Sequence, residues 1–310
     1  MTGATLWQPE AYRASLHDTP SRCWCSRREG SRMDVLTTPA SMRAHRRALS
    51  GSVGFVPTMG YLHDGHLSLV RRSAAENVHT VVSIFVNPTQ FAPGEDFERY
   101  PRDEVHDLAL LRAAGVAAVY LPGASDMYPE GYQTYVDVEQ VTRPLEGESR
   151  PGHFRGVTTV VLKLFNAVQP DRAYFGRKDA QQWRVVQRMA RDLDLPVEIV
   201  PCDIQRETDG LALSSRNVYL SARQRAAAPV IHAALEEART AFSTGERSAA
   251  RLRGVVAARL SSEPLAQAEY ISLADDATLE EIDGEVRCAA LLSLVVRFGP
   301  TRLLDNVELA

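Results

Sequence analysis

The 310-residue sequence has almost no lysine. Of 35 basic side chains two are lysines, Lys163 and Lys178, and the rest are arginine. A lysine in such a chain therefore points to a specific need. Cysteine is also scarce, four in all, too few at this length for a disulfide framework. Cys23 and Cys25 form a lone C-x-C with no second ligand pair behind it, which reads as incidental rather than as a zinc site. This usage fits a reducing, cytoplasmic setting. No apolar run approaches the roughly 20 residues that span a bilayer, so a transmembrane helix is excluded. The longest such run, CAALLSLVV (288–296), reads as a buried strand. No block of like charge occurs, and the net charge is −4, so no polybasic surface for nucleic acid or membrane is advertised. Also missing are a P-loop, a G-x-G-x-x-G and a G-x-S-x-G elbow.

What is present suits a folded chain. Hydrophobic residues make up 45% and charged residues 24%, enough to bury a core. The length predicts about two domains. Residues 1–32 show no period and no signal-peptide core, and a cleaner opening follows Met33. The expectation for 1–32 is a disordered extension or a misassigned start. Strands and helices then alternate: strands at 53–57, 80–86, 116–122, 172–176 and 197–201, and helices at 66–77, 103–115, 157–169 and 179–193. The grammar is that of a Rossmann-like, doubly wound parallel sheet over 33–204. Beyond it, 205–310 reads as a smaller α+β domain. A polar loop (206–217) leads to a Ser221/Gln224 capping box, a long helix ended by Gly245, a helix at 248–261, and antiparallel strands within 268–307.

Four segments carry chemistry. The first is PTMGYLHDGHLSLV (57–70), where a buried strand turns into a helix. Ligands of open α/β sheets sit at the carboxyl ends of strands, and a helix N-terminus there suits phosphate. Gly65 lets the backbone approach a ligand. His63 and His66, three apart, share a helical face and can stabilise charge moving to pyrophosphate. A plain capping turn with two surface histidines is the lesser reading. The second is FGRKDAQQW (175–183), in which Lys178 can act as a point charge on phosphate, Asp179 suits a helix N-cap, and Gln182 lies one turn on. Lys163, within a helical pattern, reads as structural. The third is LALSSRN (211–217), whose two serines and Arg216 can bind phosphate. The fourth is FVNPTQF (85–91), which offers Asn87 and Gln90 to a substrate hydroxyl or carboxylate. Asp103, Glu104 and Asp107 read as first-turn helix acids. The absence of a P-loop beside H-x-G-H points to nucleotidyl transfer rather than γ-phosphoryl transfer.

From about Met33 onward, the ordered blocks VPTMGYLHDGH, FVNPTQF, YPRD, RPGHFRGV, FGRKDAQQ, RETDGLALSSRN and GPTRLLDN resemble the pantothenate synthetase (pantoate–β-alanine ligase) family of the His-x-Gly-His nucleotidyltransferase superfamily. The resemblance implies a Rossmann-like domain of the adenylyltransferase type with a smaller C-terminal domain, a Mg²⁺ requirement and a homodimer. It implies that ATP and pantoate give pantoyl adenylate and pyrophosphate, and that β-alanine then displaces AMP. It implies an ATP site lined by Met59, Gly60, Tyr61, Leu62, His63, Asp64, Gly65 and His66, with His66 the catalytic histidine. Gly176, Arg177, Lys178 and Asp179, together with Gln205, Leu213, Ser214, Ser215 and Arg216, would complete it, with Lys178, Ser214 and Arg216 on phosphate. Gln90 and Gln182 would hold pantoate, Gln90 also lying near β-alanine, and Asp107 matches an acid near the Mg²⁺ site. Three positions depart from the family pattern. Arg177 stands for a usual Glu, Leu213 for a usual Met, and Gln205 for a Val that commonly contacts adenine.

Two rivals remain. One is an H-x-G-H transferase acting on a phosphorylated acceptor, which would want a further basic group where FVNPTQF is neutral. The other is a nucleotide-binding protein without catalysis, against which His63, His66 and Lys178 stand.

Overall fold

The computed structural model describes residues 33–310. The expectation for residues 1–32 lies outside them. Six parallel strands form one sheet: β1 (Asp34–Leu36), β2 (Val53–Thr58), β3 (His79–Ile84), β4 (Ala118–Tyr120), β5 (Arg172–Gly176) and β6 (Glu198–Cys202). Their spatial order is β1-β4-β3-β2-β5-β6. The chain walks from β2 through β3 to β4, then returns to the other side of β2 for β5 and β6. The direction reverses between β2 and β5, and ligands of doubly wound folds bind at such a point.

Alternation along the strands builds two cores, one on each face of the sheet. Phe55 and Val81 point to one face, with Val160, Val161 and Leu164 of α6 (His153–Val168) and Val185, Val186 and Met189 of α7 (Ala180–Asp192). Met42 of α1 (Pro39–Ala48) joins that side. Val56 and Val82 point to the other, against Leu69 and Val70 of α2 (Asp64–Glu76) and Leu111 of α3 (Glu104–Ala113). Two four-residue helices, α4 (Ala124–Met127) and α5 (Glu146–Ser149), lie in the connection from β4 to α6.

The remaining chain forms α8 (Ala222–Ala227), α9 (Val230–Ser243), α10 (Ala249–Ser261) and an antiparallel sheet of β7 (Gln267–Asp275), β8 (Ala290–Phe298) and β9 (Thr301–Leu309). Leu292, Leu294, Val296 and Phe298 of β8 face α9 and α10 in a separate apolar cluster. Both sheets belong to one compact unit, Arg32–Ala310. Among the described residues no helix is long and apolar enough to cross a membrane.

Several local expectations are corrected. The Ser221/Gln224 capping box forms, but the helix behind it is not continuous. Pro229 has no N–H to give, and α8 ends before it while α9 starts after it. The helix expected at 157–169 begins four residues earlier, at His153, because Gly152 takes a left-handed conformation (φ 84°) as its N-cap. The helix expected from residue 66 begins at Asp64. Strand β1 was not anticipated; its three residues are too short to show a period, and parallel pairing with β4 defines it.

Candidate active site

A cleft of about 840 Å³ opens at the carboxyl ends of β2 and β5 and continues toward the antiparallel sheet. All four chemistry-bearing segments meet in it. Their placement follows from three turns and one loop.

The turn after β2 leads through Tyr61, a non-glycine residue with φ 51°, into His63. His63 is the N-cap of α2. Its Nδ1 accepts the Gly65 N–H at 3.1 Å, and the Nδ1 of His66 accepts the His63 N–H at 3.3 Å. H-x-G-H is thus a capping box built from two imidazoles, with ring centroids 4.1 Å apart. A Cβ at residue 65 would stand 2.8 Å from the His63 ring, so glycine is needed for that ring to fold over the helix start. With both Nδ1 atoms accepting, each neutral ring carries its proton on Nε2. Burial, and then the nearby Lys178 charge, push the His63 pKa down to about 4. Burial, then His63, then Lys178 push that of His66 to about 3. Both are neutral donors near pH 7. The two readings of this motif therefore coincide: the histidines cap the helix, and they also line the cleft, half-buried.

Met59 and Gly65 line the cleft, whereas Gly60, Tyr61, Leu62 and Asp64 do not. Asp107, expected near a metal, lies behind this turn and outside the cleft lining. Its Oδ2 accepts the Tyr61 N–H at 2.8 Å, its Oδ1 accepts the Leu62 N–H at 2.7 Å, and its residue is 1% exposed. Burial raises its pKa against the pull of those amides. Its geometry is that of a loop clamp. Among the described residues no three His, Cys, Asp or Glu side chains converge as a metal site.

The turn after β5 brings Gly176, Lys178 and Asp179 into the cleft. Lys178 is 19% exposed, with Nζ 3.9 Å from Asp179 Oδ1. Asp179 occupies the N-cap position of α7 but makes no capping hydrogen bond, contrary to expectation. Arg177 turns away from the cleft to Glu308 at 2.7 and 2.6 Å. Gln182 lines the cleft, while its neighbour Gln181 is fully engaged with the backbone of Val141, Pro144 and Glu146.

The loop after β6 lays Gln205, Leu213, Ser214, Ser215 and Arg216 along the cleft. The Leu213 N–H donates to the Gln205 carbonyl at 2.9 Å, and Ser215 reaches the Tyr61 carbonyl at 3.3 Å. Ser214 caps a short 3₁₀ turn by accepting the Arg216 N–H at 3.2 Å. The Arg216 guanidinium makes a two-point pair with Asp96, at 2.9 and 3.0 Å, above the Tyr100 ring.

At the far wall, Gln90 is held by Asn87, whose Nδ2 donates to Gln90 Oε1 and to the Gly156 carbonyl, each at 3.1 Å. Asn87 Oδ1 accepts from Tyr128 at 2.8 Å and Thr89 Oγ1 at 3.0 Å. Asn87 lines the cleft but is 1% exposed, and its hydrogen bonds to protein hold Gln90 in position. A Cβ on Gly156 would strike the Thr89 carbonyl, which explains that glycine in RPGHFRGV.

RPGHFRGV also brings Arg150 and His153 to this wall, a role its sequence did not reveal. His153 Nδ1–H donates to the Gln90 carbonyl at 2.8 Å, and its Nε2 accepts from Arg150 at 3.2 Å. Burial and the Arg150 charge push its pKa down to about 4. Arg150 is anchored on Glu95 at 2.7 Å. The signal was an Arg and a His three apart, the helical spacing already used for His63 and His66. Asp96, the partner of Arg216, had no sequence signal beyond its acidity.

Comparison with known proteins adds the following. A family model described as pantoate-beta-alanine ligase matches residues 34–308. Pantothenate synthetase of Roseiflexus castenholzii is 57% identical over 274 residues, 88% of this chain and 98% of that protein. The crystal structure of pantothenate synthetase from Thermus thermophilus is similar at a TM-score of 0.85 and 49% identity, covering 89% of this chain and 99% of that one. Pantoate-beta-alanine ligase from Francisella tularensis, solved in complex with beta-gamma ATP and beta-alanine, is similar at a TM-score of 0.74 and 32% identity, covering 89% and 97%.

Proposed function

The chain belongs to the pantoate–β-alanine ligase family, and from that premise we propose that it condenses pantoate with β-alanine at the expense of ATP. The observation that carries this reading is one cleft that brings His63, His66, Lys178, Arg216, Gln90 and Gln182 together at the switch point of the sheet.

In the first step a pantoate carboxylate oxygen bonds to the α-phosphorus and the bond to the pyrophosphate oxygen breaks, giving pantoyl adenylate. A carboxylate is already a nucleophile, so the protein supplies position and charge rather than proton transfer. His63 and His66 donate Nε2–H to the phosphates, and Lys178 and Arg216 carry positive charge, with Ser214 and Ser215 as neutral donors. Neutral rings suit this role, because their donors do not depend on protonation near pH 7. Asp96 occupies the guanidinium face of Arg216 that a triphosphate would take, so nucleotide entry exchanges one anion for another. Gln90, fixed by Asn87 and His153, and Gln182 offer amide groups to pantoate, with Gln90 also near β-alanine. In the second step the β-alanine amine attacks the acyl carbonyl and AMP leaves. Gln205 bonds Leu213 through its carbonyl, so its side chain can differ from the family's without disturbing that pairing.

Asp107 does not fit a Mg²⁺ role, since both its oxygens are taken by loop amides. Mg²⁺ commonly binds through substrate phosphates with several waters kept. It is read here as entering with ATP, as part of that substrate. A homodimer, a cytoplasmic setting, and a functional division at residues 33–204 and 205–310 belong to the same reading.

The test is product analysis. Purified protein with ATP, Mg²⁺, pantoate and β-alanine should yield pantothenate and AMP in equal amounts by mass spectrometry. ADP in place of AMP, or no pantothenate, would overturn the reading.

A further inference from the structure

The proposed chemistry leaves GPTRLLDN, the motif of β9, without work. Strand side chains alternate, so even-numbered residues of β9 share a face. Three of them reach the parallel-sheet half of the molecule. Arg302 donates to Glu146 at 2.5 and 2.7 Å, and Glu308 accepts from Arg177. Between them, Asn306 Nδ2 donates to the Arg177 carbonyl at 3.0 Å and to the Lys178 carbonyl at 2.8 Å. The two outer contacts are ion pairs that hold the sheet in place. The Asn306 contact differs, because it grips the backbone of the residue whose ammonium enters the cleft.

Asn306 is itself fixed. It is 5% exposed, and its N–H donates to Asp305 Oδ1 at 2.8 Å. Asp305 is held by Arg206 at 2.5 and 3.0 Å. A carboxamide nitrogen has two protons, and here both are spent on consecutive carbonyls of one turn. Aspartate could not donate them, and alanine would leave both carbonyls without this partner.

We propose that Asn306 is a positioning residue for the nucleotide, acting through Lys178. By fixing the carbonyls of the two peptide planes on either side of the Lys178 Cα, it fixes the direction from which the ammonium reaches the phosphates. The inference rests on the reading of this cleft as an ATP site. The antiparallel sheet thereby takes part in the first half-reaction although its side chain touches no reacting atom.

A double-mutant cycle on the full chain tests this, with Asn306→Ala and Lys178→Ala alone and together. Asn306→Ala should lower kcat/KM for ATP by roughly 10- to 100-fold and leave the KM for pantoate near its original value. In the Lys178→Ala background the same change should cost less than about threefold, because its target is already gone. An equal loss in both backgrounds would assign Asn306 a purely structural role and overturn the proposal, as would no loss in either. If Asn306→Ala does not fold, Asn306→Ser, which keeps one donor hydroxyl, is read through the same cycle. Calorimetric titration with ATP runs beside the kinetics. Absence of pantoate-dependent turnover in the unaltered protein would sink the functional reading, while the ATP affinities of the four proteins would still decide whether Asn306 acts through Lys178.

Discussion

Two turns flank the cleft, and each is held by one buried side chain from far along the chain. The turn after β2 presents N–H groups, and Asp107 accepts two of them. The turn after β5 presents carbonyls, and Asn306 donates to two of them. An acid answers donors and an amide answers acceptors. The difference lies in where the clamp sits. Asp107 is on α3, packed against the same sheet as the turn it holds. Asn306 is on the antiparallel sheet, so the lysine turn is tied across to that sheet. The histidine turn is thus clamped from within the parallel-sheet layers, and the lysine turn, which also donates the Arg177 N–H to the Cys202 carbonyl of β6, is clamped from the second sheet.

The largest effect is expected at Lys178. Lys178→Ala should reduce kcat/KM by at least about 100-fold, as loss of a well-placed charge contact can. Near-normal steady-state turnover would remove Lys178 from the machinery and leave its turn without a purpose.

Next comes the other clamp. Asp107→Asn sets an amide NH₂ against a loop N–H, so one bond is lost and a donor faces a donor. The cost should be about 1.5–3 kcal/mol, as for hydrogen bonds to charged groups, measured as a shift of the urea midpoint at unchanged slope. Unchanged stability with a weakened response to Mg²⁺ would instead make Asp107 a metal ligand, as the family resemblance implied.

The histidines sharpen the contrast through pH. Their folded pKa values, about 4 for His63 and about 3 for His66, lie below the ordinary 6.5. Below pH 6.5 the unfolded chain takes up protons that the native rings refuse, so stability falls as pH drops from 6.5 toward 4 and then 3. Above 6.5 these rings contribute no slope. His66→Gln should flatten that acid limb in denaturation curves taken across the range; an unchanged limb would mean that His66 titrates normally in the native state.

The smallest effect is expected at the other lysine. Lys163 Nζ stands 4.6 Å from the Tyr132 ring centroid and outside the cleft lining. Lys163→Ala should lose about 0.5–1 kcal/mol of stability and leave activity near its original level in the same assay. A loss matching that of Lys178→Ala would erase the distinction between the two.

Much of this was legible because it is local. The parallel strands appear as short apolar runs, H-x-G-H lies where a strand meets a helix, and the rarity of lysine drew attention to Lys178. What was not legible is long-range. Asp107 reads as an ordinary first-turn acid until the loop folds back onto it, and Asn87 as a turn residue until Gly156 and Tyr128 surround it. His153 and Asn306 carry no local pattern that points to Gln90 or Lys178. The break at Pro229 was in the sequence and was overridden by helical periodicity on both sides of it.

The most direct test of the central claim is isotope exchange between pyrophosphate and ATP, with Mg²⁺ and pantoate present and β-alanine omitted. Exchange should occur and should require pantoate, since the acyl adenylate forms before the amine is needed. Folded protein that binds ATP yet shows no pantoate-dependent exchange would contradict that claim.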